Sequence, residues 1–153
     1  MNTIKHASGN TNTPVLSVRG LSKTFTLHTQ GGAVIEAFSG LDLDVWAGEC
    51  LALHGPSGAG KSTLLRALYA NYKPCAGSIN VKHGGSPVDM ATAPPRAVLS
   101  VRHSTMGYVS QFLRVIPRVS SLNIVAERLT LHGEDERIAQ EKAGELLTRL
   151  RIP

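Results

Sequence analysis

The chain has 153 residues, of which 42% are hydrophobic, so it is long enough for one domain with a buried core. Its formal net charge of +5 does not predict a nucleic-acid partner, because the Lys and Arg residues are scattered without interleaved aromatic side chains. The two cysteines show neither metal-ligand nor disulfide spacing. The sequence contains no apolar stretch long enough to cross a bilayer and no signal-peptide pattern. These observations favour a cytoplasmic protein that does not itself insert into a membrane.

The N-terminal third is predicted to form strands after a polar leader. Residues 1–14 lack apolar periodicity and are expected to be a flexible leader. Strands are predicted over Val15–Val18, over Ala33–Ala37 and over Leu41–Val45, the last of which alternates strictly between apolar and polar residues. The short apolar run Cys50–His54 is typical of a buried parallel strand. These strands should lead the chain directly into the motif that follows.

A complete phosphate-binding loop follows that run. Residues 55–62 read GPSGAGKS, which matches the pattern G-x-x-x-x-G-K-[ST]. Glycines allow the backbone N–H groups to approach a phosphate chain closely, and they tolerate a positive φ. Lys61 is expected to reach the β- and γ-phosphates, and the hydroxyl of Ser62 is expected to coordinate Mg²⁺. The chain is therefore predicted to bind a nucleotide, with ATP and Mg²⁺ as its cofactors.

An amphipathic helix is predicted directly after the loop. Its apolar positions lie between Leu64 and Tyr72, and Lys73-Pro74 should end it. A strand is predicted over Ser78–Lys82, followed by a long irregular connection that includes Pro94 and Pro95. The His residues show no ligand spacing and no paired carboxylate, which argues against a metal site.

The last third is predicted to change from strand to helix. Met106–Ser110 is expected to be a short strand that ends at Gln111. A helical pattern begins at Ser120, and a second amphipathic helix carries apolar residues from Ala139 to Leu150. The acidic and basic side chains of its other face are interpreted as solvated surface.

This order of features resembles the ATP-binding cassette family. The resemblance implies an α/β fold of the P-loop NTPase class, with a RecA-like core, an antiparallel β subdomain and a helical subdomain that begins near residue 115. More narrowly, the stretches LHGPSGAGKSTLLRALYANYKP and GYVSQFLRVIPRVS resemble the L subunits of the phosphonate carbon-phosphorus lyase system. The second stretch is the more specific, because the flanks of phosphate loops are widely shared.

The resemblance also implies roles for two residues outside the loop. Phe25 matches the aromatic residue that stacks on adenine in the family, although a core phenylalanine is the better interpretation from sequence alone. Gln111 matches the glutamine that contacts Mg²⁺ and the attacking water, and it is therefore the candidate catalytic residue. The expected nucleotide-binding residues are Phe25, Gly55, Pro56, Ser57, Gly58, Ala59, Gly60, Lys61, Ser62 and Thr63, and the expected Mg²⁺ ligands are Ser62 and Gln111.

Three motifs that family members use for hydrolysis are absent from these 153 residues: the Ser-Gly-Gly signature, the Asp-Glu pair after an apolar strand and the histidine beyond it. The chain is therefore expected to be the N-terminal part of a longer protein, truncated in the helical subdomain and inactive alone, with a second cassette subunit required for hydrolysis.

The narrower resemblance implies a subunit that works with other lyase subunits as they join an alkylphosphonate to the ribose of ATP and displace adenine. The alternatives are the ATPase subunit of a transporter and a non-catalytic nucleotide-binding module.

Overall fold

The computed structural model describes residues 13–27, 29, 31–111 and 117–152. These residues form two compact units, one that extends to Tyr108 and one that begins at Val109. Most of the leader predicted for residues 1–14, and the subdomain boundary predicted near residue 115, fall outside the described residues. Both therefore stay predictions.

The first unit contains an antiparallel sheet of four strands in the order β2-β1-β3-β4. In register, Leu16 lies opposite both Val45 on β2 and Val81 on β3, so β1 is an inner strand of the sheet. The strands are β1 (Leu16–Leu27), β2 (Ala33–Val45), β3 (Ala76–His83) and β4 (Ser86–Asp89). The antiparallel β subdomain that the sequence predicts is confirmed.

The strands predicted in the N-terminal third are shorter than the strands of the structure. The strand predicted over Val15–Val18 continues to Leu27, and the two predicted over Ala33–Ala37 and Leu41–Val45 are one strand. Gly20 and Gly40 have φ of 56° and 59°. The ladder between β1 and β2 shifts register between Val18 and Thr24. The glycines therefore lie in irregular parts of long, paired strands, where positive φ is tolerated without ending the ladder.

Helices α1 (Lys61–Leu68) and α2 (Pro95–Ser104) supply the helical part of the same core. Leu64 and Leu68 of α1 and Val101 of α2 are buried with the apolar side chains of the sheet. The helix α1 is shorter than predicted, because the chain turns at Ala70, whose φ is 57°. Among the described residues, the buried cluster comprises Leu16, Val18, Leu21, Phe38, Leu43, Leu64, Ala67, Leu68, Ile79, Val81, Met90 and Val101.

The helix α2 lies where the sequence predicts an irregular connection. Pro94 is its N-cap and Pro95 its first residue. Proline is favoured at the first position of a helix, because its N–H would have no intrahelical acceptor and its φ already suits the helix. The Pro-Pro pair therefore marks a helix start rather than a continuing loop.

Two predicted strands, Cys50–His54 and Met106–Ser110, are not strands in the structure. Leu51 and Leu53 pack against the core while Cys50, Ala52 and His54 are more exposed, so the alternation of a strand is present. Among the described residues, however, no segment pairs with either run. A strand needs a hydrogen-bonded neighbour, and apolar patterning alone does not provide one.

The second unit consists, in its described part, of helices α3 (Ser121–Thr130) and α4 (Glu136–Arg149). The hydroxyl of Ser120 accepts from the Asn123 N–H at 3.2 Å and caps α3, which confirms the predicted helix start. The carboxylate of Asp135 caps α4 in the same way.

Three alanines, Ala126, Ala139 and Ala143, form the buried contact between α3 and α4. The predicted amphipathic helix is confirmed, but only part of its apolar face is covered. Leu146 and Leu150 are 45% and 59% exposed, respectively.

Candidate functional site

The candidate site is the phosphate loop of residues 55–62, which connects the segment after β2 to helix α1. Gly58 and Gly60 have φ of 81° and 82°, a conformation that residues with a side chain adopt only at a cost. The Ala59 N–H donates to the Pro56 carbonyl oxygen at 3.3 Å and closes a turn inside the loop. The loop is therefore held in a tight, glycine-dependent curve.

Gly60 is also constrained by the neighbouring strand β2. A Cβ atom at this position would collide with the Ala37 carbonyl oxygen and would lie 3.2 Å from the Ala37 carbonyl carbon. The backbone of β2 thus passes directly against the end of the phosphate loop. Sequence reasoning did not find Ala37, because its role depends on its backbone alone and leaves no signal in the residue type.

The N-terminus of helix α1, which is the positive end of its dipole, begins directly after Gly60. The first helical hydrogen bond runs from the Leu64 N–H to the Gly60 carbonyl oxygen at 2.8 Å, so the N–H groups of the preceding turn have no acceptor within the helix. Gly60 is the N-cap, it provides no side-chain acceptor, and the first turn contains no acidic residue. An anion would complement both the N–H groups and the helix dipole.

Lys61 holds its ammonium group over the loop. Its Nζ donates to the carbonyl oxygens of Gly55 and Pro56, each at 2.7 Å. Ser62 follows on the first turn with an exposed side chain, and Thr63 is half-buried. A positive charge, backbone donors and a hydroxyl are thus brought together within the loop and the first turn of α1, which is the donor set that a phosphate chain and a Mg²⁺ ion require.

Phe25 lies on β1 with a half-buried side chain. Its ring makes an edge-to-face contact with Tyr72, with centroids 5.4 Å apart and planes at 79°. In register Phe25 is opposite Ile35, two residues from Ala37, so it lies close along the sheet to the point where β2 meets the loop. Sequence reasoning missed Tyr72 as a partner, because its helical spacing assigned it to an apolar helix face.

Gln111 is exposed and belongs to the second unit, so its place relative to the phosphate loop stays a prediction. Residues 112–116, which follow it, lie outside the described residues.

Within the described part of the chain, no group of three or more His, Cys, Asp or Glu residues could hold a metal ion. None of the helices described there is both long and apolar enough to span a bilayer.

A family model described as ABC transporter matches residues 38–153. The chain belongs to this ATP-binding cassette family. The lipoprotein-releasing system ATP-binding protein LolD 2 of Caulobacter vibrioides is 38% identical, with 90% of this chain and 57% of the relative covered. LolD of Ruegeria sp. is 39% identical, over 86% of this chain and 56% of the relative. The chain thus spans a little over half the length of these curated relatives.

The solved cassette MJ0796, described as a bacterial ABC transporter cassette and as dimeric, has the same fold. Its TM-score is 0.74 at 24% identity, with 87% of this chain and 56% of the other covered. A second structure of MJ0796, in a post-hydrolysis state with ADP and Pi, has the same values. The predicted cassette fold is confirmed. The narrower resemblance to carbon-phosphorus lyase subunits is not supported by these relatives, which are lipoprotein-releasing proteins.

Proposed function

We propose that the chain binds MgATP through residues 55–63 as the nucleotide-binding part of an ABC-type ATPase subunit. The carrying observation is the junction of the phosphate loop and α1, where a lysine ammonium, a glycine-dependent curve and an uncapped, acid-free helix start occur together. These features fit a triphosphate, since each favours negative charge or close backbone approach.

The residues of the loop and of the first turn of α1 have separate roles in nucleotide binding. Lys61 exchanges its two carbonyl acceptors for phosphate oxygens, the N–H groups of the first turn of α1 donate to the same anion, and Ser62 provides a hydroxyl ligand for Mg²⁺. Phe25 stacks on the adenine base, and Gln111 keeps the role of metal ligand that the family resemblance implies. When bound, Mg²⁺ neutralises charge that develops on the phosphates during transfer.

For the complete protein, we propose the role of a transporter ATPase on the cytoplasmic side of a membrane complex. The named relatives support this role, since they are ATP-binding proteins of lipoprotein-releasing systems. A second cassette subunit is the expected partner, since the solved neighbour is described as dimeric.

A second candidate function rests on one stretch of sequence. Residues 107–120, GYVSQFLRVIPRVS, resemble the corresponding stretch of the phosphonate carbon-phosphorus lyase L subunits. In that case the partners are soluble lyase subunits, and the nucleotide site assists a reaction between ATP and an alkylphosphonate.

Calorimetric titration with MgATP tests the binding proposal. Lys61→Ala removes a charged donor, and charge-assisted hydrogen bonds of about 1.5–3 kcal/mol correspond to a loss of affinity of about ten- to a hundred-and-fiftyfold. Lys82→Ala is the matched control, because Lys82 is exposed on β3. Equal affinities for the wild type and Lys61→Ala would contradict the proposal.

Affinity purification of the full-length protein from its own cells separates the two candidate functions. For the transporter role, we expect the protein to be purified together with integral membrane proteins, and we expect that association to be lost on detergent exchange. Recovery with soluble proteins that convert ATP and methylphosphonate to a ribosyl phosphonate would favour the lyase role and contradict the transporter role.

A further inference from the structure

The chain contains three tyrosines, and all of them lie in one network of aromatic and cationic side chains beside the candidate site. Tyr69 and Tyr108 stack with centroids 5.3 Å apart, and the Arg102 guanidinium lies 4.6 Å from the Tyr69 ring. Tyr72 makes the contact with Phe25 described above. The network therefore has two parts, and only one of them touches the candidate base-stacking residue.

Tyr72 is itself held in place by the helix that begins at the phosphate loop. Arg66 of α1 donates to the Tyr72 hydroxyl at 2.8 Å, and its guanidinium carbon lies 5.6 Å from the Tyr72 ring centroid. Tyr72 and, to a smaller extent, Tyr108 raise the pKa of the Arg66 guanidinium through their hydroxyl groups. Tyr72 thus connects the ring of Phe25 on the sheet to a side chain of α1.

A second side chain restrains the same ring. The Lys23 ammonium lies 4.9 Å from the centroid of Phe25, a cation–π distance, and it donates to the Lys73 carbonyl oxygen at 2.8 Å. A half-buried phenylalanine without such partners would sample several rotamers, and ordering it on ligand binding would cost affinity. The contacts with Tyr72 and Lys23 restrict it in advance.

We propose that Tyr72 is a positioning residue, which orients the Phe25 ring so that a purine base stacks on it. Lys23, two residues earlier on β1, restrains the same ring. This inference rests on the proposed function, because it assumes that the phosphates occupy the loop and the base lies on Phe25. It extends that proposal, because the part of the ATP affinity that comes from base stacking then depends on Tyr72, a residue that does not touch the base.

Substitution of Tyr72 is expected to weaken the binding only of ligands that carry a base. Stacking of a base on an aromatic ring contributes about 1–3 kcal/mol, which corresponds to about five- to a hundred-and-fiftyfold in affinity. If Tyr72 aligns the ring, Tyr72→Ala should lower the affinity for ATP about tenfold, which is part of the stacking contribution. Binding of inorganic tripolyphosphate, which has no base, should not change.

The experiment titrates the full-length protein with MgATP and, separately, with Mg-tripolyphosphate. The variants are Phe25→Ala, Tyr72→Ala, Tyr72→Leu and Tyr72→Phe, each checked for folding by circular dichroism. Tyr72→Leu fills much of the ring's space without an aromatic edge, and it serves if Tyr72→Ala does not fold. Tyr69→Ala is the matched control, because Tyr69 is also half-buried near the end of α1 but stacks on Tyr108.

The inference predicts that Tyr72→Ala and Tyr72→Leu lower the ratio of ATP to tripolyphosphate affinity about tenfold, while Tyr72→Phe and Tyr69→Ala leave it within about twofold of wild type. A wild-type ratio in Tyr72→Leu, or an equal loss for both ligands, would overturn it. A wild-type ratio in Phe25→Ala would remove the base-stacking role and the inference with it. Tripolyphosphate binding that is indifferent to Lys61→Ala would instead show that the loop proposal itself fails.

Discussion

Gly60 meets two separate constraints at the end of the phosphate loop. Its φ of 82° lies in the left-handed region, and its missing Cβ leaves room for the Ala37 carbonyl group of β2. The motif pattern predicts only the first constraint, since it is a local property of the loop. The second depends on a strand more than twenty residues earlier in the chain and was therefore not visible in the motif.

Gly60→Ala should destabilise the fold and weaken nucleotide binding together. The positive φ alone costs about 1–2 kcal/mol for a residue with a side chain, and displacement of the Ala37 carbonyl adds to this cost. Gly58→Ala is the matched control, because Gly58 has φ of 81° but no atom within 4 Å of the place where a Cβ would lie. Chemical denaturation measures the difference. Equal losses in the two variants would contradict the role of the Ala37 contact.

Asp89 shows how a single carboxylate supports an element. It lies at the end of β4 and accepts hydrogen bonds from the Ile79 N–H at 2.9 Å, from the Ala91 N–H at 3.1 Å and from the Thr92 hydroxyl at 2.7 Å. Partial burial raises the pKa of this carboxyl, but the three hydrogen bonds outweigh it, and the net pKa is lowered. The ionised form therefore stabilises the junction of β3 and β4.

Asp89→Asn should reduce stability in a pH-dependent way. Since the folded pKa lies below the unfolded value of about 3.9, the stabilisation is present above that value and is lost as the pH falls through the folded pKa. We expect a loss of about 1 kcal/mol near pH 7, which shrinks toward zero in strong acid. Urea denaturation at several pH values measures it. A loss that is the same at pH 7 and in strong acid would contradict the assignment.

The contact between α3 and α4 depends on small side chains. Ala143 is 1% exposed and Ala139 is 0% exposed, so the helices approach closely there. Ala143→Leu should cost about 1–3 kcal/mol by overpacking. Glu141→Leu is the control at an exposed position of α4 and should leave the unfolding free energy within about 0.5 kcal/mol. An unchanged unfolding midpoint in Ala143→Leu would show that the helices are not packed as described.

Sequence patterns predicted the helices and strands whose stabilising contacts lie within one short stretch of chain. The N-cap at Ser120 and the apolar spacing of α4 lie within one stretch of chain, and both helices are present. The start of α2 was missed, because Pro94 and Pro95 were interpreted as loop residues. The run Cys50–His54 has the composition of a strand, but a strand also requires a neighbour, and apolar composition does not specify one.

At the scale of the whole molecule, the fold class could be predicted because one local motif decides it. The phosphate loop identifies the class of fold, and the cassette family and its solved structures agree with it. The narrower relationship could not be predicted as firmly. It depended on short stretches around the loop and around Gln111, whereas the curated relatives match across 90% of the chain for LolD 2 of Caulobacter vibrioides.

A crystal structure of the full-length protein with Mg²⁺ and a non-hydrolysable ATP analogue tests the central claim most directly. We expect a triphosphate within residues 55–62, with Lys61 Nζ moved from the carbonyl oxygens of Gly55 and Pro56 to the phosphates, and with the base on Phe25. A nucleotide bound elsewhere, or Lys61 still bound to those two carbonyl groups beside the nucleotide, would contradict it.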